Sequence, residues 1–170
     1  EAPTIEQWAE VLQRATQSLP TGSKVSVEPG RSIVASAGVT VYTVGTVKPI
    51  DGIRTYISVD GGMSDNPRPV LYGSGYEAFD PARMSADRSE SVRIVGKHCE
   101  SGDILVESAA VAPNVSVGDL LVMPVTGAYG YSMASNYNKV MRPAVVFVSD
   151  GESRLVVRRE TYDDLVRLDL

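Results

Sequence analysis

Four short segments of this sequence carry the side chains best suited to chemistry. Each combines a charged, thiol or phenolic group with glycine or proline. They are Glu28-Pro29-Gly30-Arg31, the stretch 65–72, the stretch 98–103 and the stretch 126–132. Each segment alone is as readily explained as a turn or a surface loop. Taken together, they are the places where binding and proton transfer are to be sought.

The first two segments each hold an arginine beside residues that restrict the backbone. Gly30 lets backbone N–H groups approach an anion closely, and Arg31 adds a guanidinium that pairs with carboxylate or phosphate. Prolines on both sides of Arg68 stiffen the second segment, and Tyr72 follows four residues later. Both segments therefore predict recognition of anionic groups, with a rigid surface turn as the alternative.

The third and fourth segments hold candidate proton donors. Cys99, the only cysteine, lies in a polar turn between His98 and Glu100. Neighbouring carboxylates disfavour a thiolate, so Cys99 suits proton donation better than nucleophilic attack. Small residues flank Tyr129, whose phenol can donate to a phosphate or carboxylate. An incidental free cysteine and a ligand-free aromatic turn are the alternatives.

An amphipathic helix is predicted over the first twenty residues. Thr4 and Gln7 have the spacing of a capping box, and Pro20 with Gly22 marks the end. The apolar residues recur at spacings of three and four: Ile5, Trp8, Ala9, Val11, Leu12, Ala15 and Leu19.

Beyond this helix, alternating β-branched residues predict a mainly β chain. Strands are expected around Val25 and Val27 and over 39–47, 53–59, 92–97, 104–107, 119–125, 142–148 and 154–160. A short helix is expected over 32–37. Strands of this number and length are typical of a β-sandwich or a partly open barrel. The irregular stretches 61–80 and 126–137 are predicted to be functional loops.

Composition and charge argue against several classes of protein. A net charge of −5 and a pI near 4.9 argue against nucleic-acid binding. No apolar run reaches the roughly 20 residues of a membrane span. A single histidine beside a single cysteine does not match the common zinc patterns, so no metal site is expected. A lone cysteine is consistent with the cytoplasm.

The order and spacing of the four segments resemble diaminopimelate decarboxylases, which belong to the alanine-racemase-like pyridoxal phosphate (PLP) enzymes. The resemblance rests on Glu-Pro-Gly-Arg at 28–31, Asn-Pro-Arg-Pro-Val-Leu-Tyr-Gly at 66–73, Cys-Glu-Ser-Gly-Asp at 99–103 and Gly-Ala-Tyr at 127–129. It extends over nearly the whole chain. It implies an N-terminal β/α barrel that holds PLP, a C-terminal β-domain, and a homodimer with active sites at the interface.

The resemblance also implies roles for individual residues. Glu28, Pro29, Gly30, Arg31 and Tyr129 would bind PLP, with Gly30 and Arg31 at its phosphate. Arg31 and Tyr129 would contact the substrate as well.

The remaining implied roles concern meso-diaminopimelate, which carries an amino-acid group at each end. Arg68 and Tyr72 would bind its far end, and Glu100 would pair with an ammonium group there. Cys99 would donate the proton that replaces carbon dioxide. Both Cys99 and Glu100 would enter the active site of the partner subunit.

One departure from this family is expected to matter. The family needs a lysine on an early barrel strand to attach PLP, and none of the four lysines lies in such a context: Lys24, Lys48, Lys97 and Lys139. Residues 1–31 would be the last helix and strand of the barrel, whose remainder is absent, and residues 32–170 the β-domain. We therefore expect the chain to need the barrel half, and to be inactive alone.

Three alternatives remain open. A related decarboxylase could act on ornithine, arginine or carboxynorspermidine, although these lack the second amino-acid centre that Glu100 and Arg68 would bind. A racemase would need a second base, for which a thiol beside two carboxylates is poorly suited. A non-catalytic β-domain could bind only a partner or a small anion.

Overall fold

A curled, five-stranded sheet forms the body of the molecule, and a separate β-hairpin lies beyond it in the chain. The computed structural model describes residues 3–170. The strands are β1 (Val39–Ile50), β2 (Arg54–Val59), β3 (Glu90–Val95), β4 (Ile104–Val111), β5 (Leu120–Pro124), β6 (Val145–Ser149) and β7 (Glu152–Val157). The sheet order is β4-β3-β2-β1-β5, and β6 pairs with β7 alone. The predicted mainly β class, with a partly open barrel-like sheet, is confirmed.

The helices are short except for the first. They are α1 (Ile5–Thr16), α2 (Arg31–Val34), α3 (Arg68–Tyr72), α4 (Gly130–Met133) and α5 (Tyr162–Val166). Single 3₁₀ turns occur at Ala35–Ala37, Pro81–Arg83 and Tyr137–Lys139. No helix within residues 3–170 is long and apolar enough to cross a membrane.

The sheet is antiparallel apart from one pair of strands. Asp51-Gly52 turns β1 into β2, with Gly52 in the left-handed region at φ +70°. By contrast, β2 and β3 run parallel, with Thr55 opposite Val92. A parallel pair cannot be joined by a tight turn, so residues 60–89 form a long crossover. This crossover carries α3 and two of the predicted site residues, Arg68 and Tyr72.

The core lies on one face of the curled sheet. Its fully enclosed side chains alternate along the strands, as a half-buried sheet requires. The largest are Ile57, Ile94, Leu105, Leu121, Met123, Val44, Val59 and Val111. Tyr42 also belongs to this cluster, but its hydroxyl reaches out of the core towards the crossover.

Most predicted strands form, with three differences. The strand predicted around Val25 and Val27 is wrong, because residues 22–30 have no regular secondary structure and no strand in the described chain pairs with them. β4 continues to Val111, because Ala109 packs into the core although small residues are poor strand formers. β6 begins at Val145 rather than at Arg142, whose backbone N–H and guanidinium both bind the Glu160 carboxylate.

The first helix begins where the capping box predicts and ends at Thr16, before the predicted end at Pro20. The Thr4 hydroxyl accepts from the Gln7 backbone N–H at 3.2 Å, and the Gln7 side chain accepts from the Thr4 N–H at 2.9 Å. The apolar stripe of α1 is largely exposed, including Ile5 and Trp8. Of the segment predicted as 1–31, the first two residues lie outside the described chain.

Replacing Ile57 by alanine should show how strongly the core depends on the central strand β2. Ile57 is 1% exposed, so Ile57→Ala leaves a cavity and should lower the free energy of unfolding by about 2–5 kcal/mol. Ile53, in the β1–β2 turn, is 67% exposed, and Ile53→Ala should change that free energy by less than about 0.5 kcal/mol. Urea denaturation of the two variants measures both values. Equal losses would contradict the assignment of the core.

Candidate active site

Two arginines from distant parts of the chain line one cavity of about 600 Å³. Arg31 comes from the first turn of α2 and Arg68 from the first turn of α3. The remaining wall is formed by Ser74, Gly75, Tyr76, Glu77, Pro124 and Val125. Because two guanidinium groups face one space, the cavity is suited to a ligand with more than one anionic group.

The Arg31 side chain is held by hydrogen bonds that span the chain. Its Nη1 donates to the Val125 carbonyl at 3.0 Å, and its Nη2 donates to the Tyr76 hydroxyl at 3.4 Å. Its Nε is buried and has no partner among the described residues. Val125 itself has φ +61°, an unfavourable conformation for a β-branched residue. The backbone strain at Val125 coincides with a wall of the cavity.

The Arg68 side chain is held mainly by its own helix. Its guanidinium lies 5.1 Å from the centroid of the Tyr72 ring, and its Nη2 donates to the Ser74 hydroxyl at 3.3 Å. Its Nε is also buried without a partner in the described chain. Tyr72 therefore supports Arg68 from one side, whereas its own ring is largely exposed.

The segment 126–129 approaches α2 through a contact between two glycine backbones. A β-carbon on Gly127 would lie 2.2 Å from the Val34 carbonyl oxygen, and one on Gly38 would lie 2.3 Å from the Gly127 Cα. The Gly127 N–H donates to the Ala35 carbonyl at 3.0 Å. Only glycine allows this approach, which brings the residues after Gly127 close to Arg31.

Tyr129 reaches the glycine that precedes Arg31. A β-carbon on Gly30 would lie 1.9 Å from the Tyr129 hydroxyl oxygen, so a side chain there would displace the phenol. Tyr129 has φ +66° and precedes α4. In the same motif, Glu28 and Pro29 are exposed and do not line the cavity. The structure thus brings together Gly30, Arg31 and Tyr129.

Cys99 and Glu100 lie on a different part of the surface. Both are exposed in the turn between β3 and β4, and neither lines the cavity with Arg31 and Arg68. The Glu100 carboxylate accepts from the Gly102 N–H at 3.3 Å and from the Ser101 hydroxyl at 3.4 Å. Their neighbour His98 is buried, with Nε2 at 2.9 Å from the Ser64 hydroxyl.

The start of the crossover is fixed by the partly buried carboxylate of Asp65. The Tyr42 hydroxyl donates to Asp65 Oδ2 at 2.5 Å, and the Gly62 N–H donates to Asp65 Oδ1 at 2.7 Å. Burial raises the pKa of Asp65, and it raises the pKa of Tyr42 together with the negative charge of Asp65. This polar junction between the core and the crossover sets the position from which residues 66–72 begin.

Sequence reasoning missed several residues of the cavity. Tyr76 and Val125 both accept hydrogen bonds from Arg31, and Glu77 adds a carboxylate to the wall. Local patterns gave no indication of them, since their role depends on the approach of distant segments. The helix α3 could have been found, because Pro69 in its first turn and Gly73 at its end, with φ +60°, are typical helix boundaries.

These features fit a phosphate-bearing cofactor. Gly30 has no side chain where the Tyr129 hydroxyl lies, and Arg31 has a buried Nε without a partner among the described residues. Backbone N–H groups, a guanidinium and a phenol are donors that suit a phosphate group. Residues 3–170 contain no group of three or more histidine, cysteine or acidic side chains placed to hold a metal ion.

Comparisons of the sequence with a family profile and with curated relatives point to the same family. The profile of the pyridoxal-dependent decarboxylase C-terminal sheet domain matches residues 24–127. The chain is 51% identical to a diaminopimelate decarboxylase of Synechocystis over 98% of its own length and 36% of the relative. It is 55% identical to that of Bacillus subtilis over 86% of its own length and 33% of the relative.

A solved structure supports the same relationship. The chain resembles diaminopimelate decarboxylase from Helicobacter pylori complexed with L-lysine, with a TM-score of 0.85 and 31% identity. The match covers 99% of this chain and 40% of that structure. The chain thus spans about a third of the length of the two curated relatives.

A methyl group at Gly127 should separate Tyr129 from α2. Gly127→Ala places a β-carbon against backbone atoms that cannot yield, so we expect a loss of about 1–3 kcal/mol in unfolding free energy. A crystal structure should show Tyr129 displaced from Gly30. The matched control is Gly45→Ala, whose β-carbon would lie 3.5 Å from its nearest neighbour, the Ser58 hydroxyl oxygen. Wild-type stability in Gly127→Ala would refute the backbone contact as the constraint.

Proposed function

The chain belongs to the pyridoxal-dependent decarboxylases, and on that premise we propose that it is the C-terminal part of a diaminopimelate decarboxylase. The proposed reaction converts meso-diaminopimelate to L-lysine and carbon dioxide. The observation that carries the proposal is the meeting of Arg31 and Arg68 in one cavity. One guanidinium suits a cofactor phosphate, and the other suits the far carboxylate of a substrate with two amino-acid ends.

The relatives support this choice of substrate. Two curated relatives that are more than half identical to the chain are diaminopimelate decarboxylases, and the Helicobacter pylori enzyme of that name was solved with L-lysine. L-Lysine is the product of the proposed reaction.

PLP is the cofactor that the proposal requires. When bound, it supplies an electron sink for the loss of carbon dioxide. Gly30, Arg31 and Tyr129 would hold its phosphate and close over it. Because the chain spans about a third of its curated relatives, we place the lysine that attaches PLP in the barrel half of the same enzyme.

Substrate selection would be the task of Arg68, Tyr72 and Glu100. Arg68 would bind the far carboxylate, and Tyr72 would orient Arg68 from beneath, as it does in the structure. Glu100 would bind the far ammonium. A site with these charged groups rejects ornithine, because Arg68 would be left buried without its carboxylate.

Cys99 would donate its proton to the carbon that has lost carbon dioxide. Its thiol is exposed and lies outside the cavity of its own chain. We therefore propose a homodimer in which Cys99 and Glu100 of each subunit complete the cavity of the other. A cytoplasmic location is part of this proposal, since a free exposed thiol stays reduced there.

A second candidate is an anion-binding β-domain without catalysis. The meeting of Arg31 and Arg68 in one cavity favours it, because two arginines can bind a dianion without any reaction. It differs from the main proposal in giving Cys99 no role. Turnover therefore separates the two candidates.

A full-length enzyme that contains this chain should decarboxylate meso-diaminopimelate and discriminate against ornithine by at least about a hundredfold in kcat/KM. Arg68→Gln should raise KM for meso-diaminopimelate by about 10- to 100-fold, because a charge-assisted hydrogen bond to the far carboxylate is lost. Release of carbon dioxide measures both values.

Arg88→Gln is the matched control for Arg68→Gln. Arg88 also lies over an aromatic ring, that of Phe79, but it does not line the cavity. We expect its KM to stay within twofold of wild type. If the enzyme ignored meso-diaminopimelate, or if Arg68→Gln left KM unchanged, the proposed substrate site would be wrong.

Removing the thiol should slow the reaction without preventing binding. We expect Cys99→Ala to lower kcat by about 10²- to 10⁴-fold with KM little changed, because a general acid contributes that much. Cys99→Ser keeps a proton donor at the same place and should retain more activity than Cys99→Ala. The absorbance of bound PLP controls for cofactor loss. Full activity in Cys99→Ala would exclude the cysteine as proton donor.

A further inference from the structure

We propose that Asp103 is a positioning residue that fixes the Cys99–Glu100 turn relative to the loop leading to Arg68. This inference rests on the proposed function. Asp103 is the residue immediately before β4 and is 3% exposed. No arginine or lysine within residues 3–170 forms an ion pair with it.

The Asp103 carboxylate binds two backbone N–H groups from two different segments. Its Oδ1 accepts from the Met63 N–H at 2.7 Å, at the start of the crossover. Its Oδ2 accepts from the His98 N–H at 2.9 Å, in the residue before Cys99. A charged acceptor makes stronger and more directional hydrogen bonds to N–H groups than a neutral one. The two segments are therefore held at one fixed separation.

Further hydrogen bonds join the same two segments around Asp103. The Lys97 N–H donates to the Gly61 carbonyl at 3.0 Å, and His98 Nε2 lies 2.9 Å from the Ser64 hydroxyl. Within the turn, the Gly96 N–H donates to the Asp103 carbonyl at 2.9 Å, and the Asp103 N–H donates to the Glu100 carbonyl at 3.1 Å. Within residues 3–170, Asp103 is thus the one charged side chain that binds both the turn and the crossover.

Two glycines make room for the carboxylate. A β-carbon on Gly96 would lie 2.1 Å from Asp103 Oδ2, and one on Gly62 would lie 2.5 Å from the same oxygen. The carboxylate therefore fills the space that side chains at both positions would need. This close fit leaves no room for a longer acid, and it ties the identity of residues 62 and 96 to that of residue 103.

The position of Asp103 matters because both segments serve chemistry in the proposed enzyme. The crossover continues from Met63 to Arg68, which would bind the substrate of its own cavity. The turn presents Cys99 and Glu100, which would complete the cavity of a second subunit. A displacement of about 1 Å in a reacting group can cost a hundredfold in rate, so the separation of the two segments must be held closely.

The test uses the full-length holoenzyme with Asp103→Asn and Asp80→Asn. Asparagine has the size of aspartate but presents an NH₂ group to one of the two N–H donors, so one hydrogen bond is lost. Asp80 is the matched control: it is 6% exposed and accepts from the Ala82 N–H at 2.8 Å and from Arg83 Nε at 2.6 Å, away from the cavity. Two readouts are compared: kcat on meso-diaminopimelate, and the pH profile of Cys99 alkylation by iodoacetamide, followed by mass spectrometry of the Cys99 peptide.

We expect Asp103→Asn to lower kcat by at least about tenfold and to shift the alkylation profile, with bound PLP unchanged. Asp80→Asn should lower the melting temperature by about as much as Asp103→Asn does. It should leave kcat within twofold of wild type and the alkylation profile unchanged. The proposal is overturned if Asp103→Asn keeps wild-type kcat and a wild-type alkylation profile. It is equally overturned if Asp80→Asn reproduces both changes, because the role of Asp103 would then be stability alone.

Gly96→Ala provides a second test if Asp103→Asn does not fold. The added methyl group pushes the Asp103 carboxylate out of place and should produce the same two changes, whereas Gly45→Ala should produce neither. If the wild-type enzyme did not act on meso-diaminopimelate, the proposed function would fail. The alkylation profile would then still decide whether Asp103 positions the turn.

Discussion

The parallel pairing of β2 with β3 is the constraint on which the rest of the structure depends. Every other neighbour in the sheet is antiparallel, and the β1–β2 pair is closed by a tight turn. The parallel pair instead forces the chain to leave the sheet after β2 and return to the opposite end of the sheet, where β3 begins. The thirty-residue crossover that results is longer than the roughly dozen residues such a connection needs, and it contains Arg68, Tyr72 and Tyr76. The topology of the sheet thereby creates one wall of the cavity.

A crossover without regular strands must satisfy its backbone groups by other means. Two carboxylates, the partly buried Asp65 and the buried Asp103, do so at its start. Asp65 accepts from the Gly62 N–H and from the Tyr42 hydroxyl, which anchors the crossover to the core. Asp103 accepts from the Met63 N–H and connects the crossover to the β3–β4 turn. Elsewhere, backbone contact between Gly38 and Gly127 brings the segment with Tyr129 towards Gly30. Side-chain charge and glycine thus replace the hydrogen-bond ladder that orders the sheet.

The sequence alone predicted the elements whose signals are local. The capping box of α1, the alternation along β1 and β2, and the mainly β class all follow from neighbouring residues. The prediction of a strand around Val25 was wrong, because alternation of apolar and polar residues indicates a tendency to pair but not the presence of a partner strand. Of the predicted site residues, Arg31 and Arg68 stood out by type and context, and both line one cavity of the structure. The roles of Tyr76 and Val125 and the contacts of Asp103 could not be predicted from the sequence. Each depends on two segments that are distant in the chain and meet only in the folded structure.

The exposed apolar stripe of α1 has a consequence for spectroscopy. Trp8, the only tryptophan in the chain, lies on that stripe and is 44% exposed. None of the cavity residues is a tryptophan, so the wavelength of the intrinsic indole emission of this chain reports on the surroundings of α1. A half-exposed indole emits at longer wavelength than a buried one. The emission maximum therefore distinguishes an uncovered α1 from one that is packed against another surface, without any label.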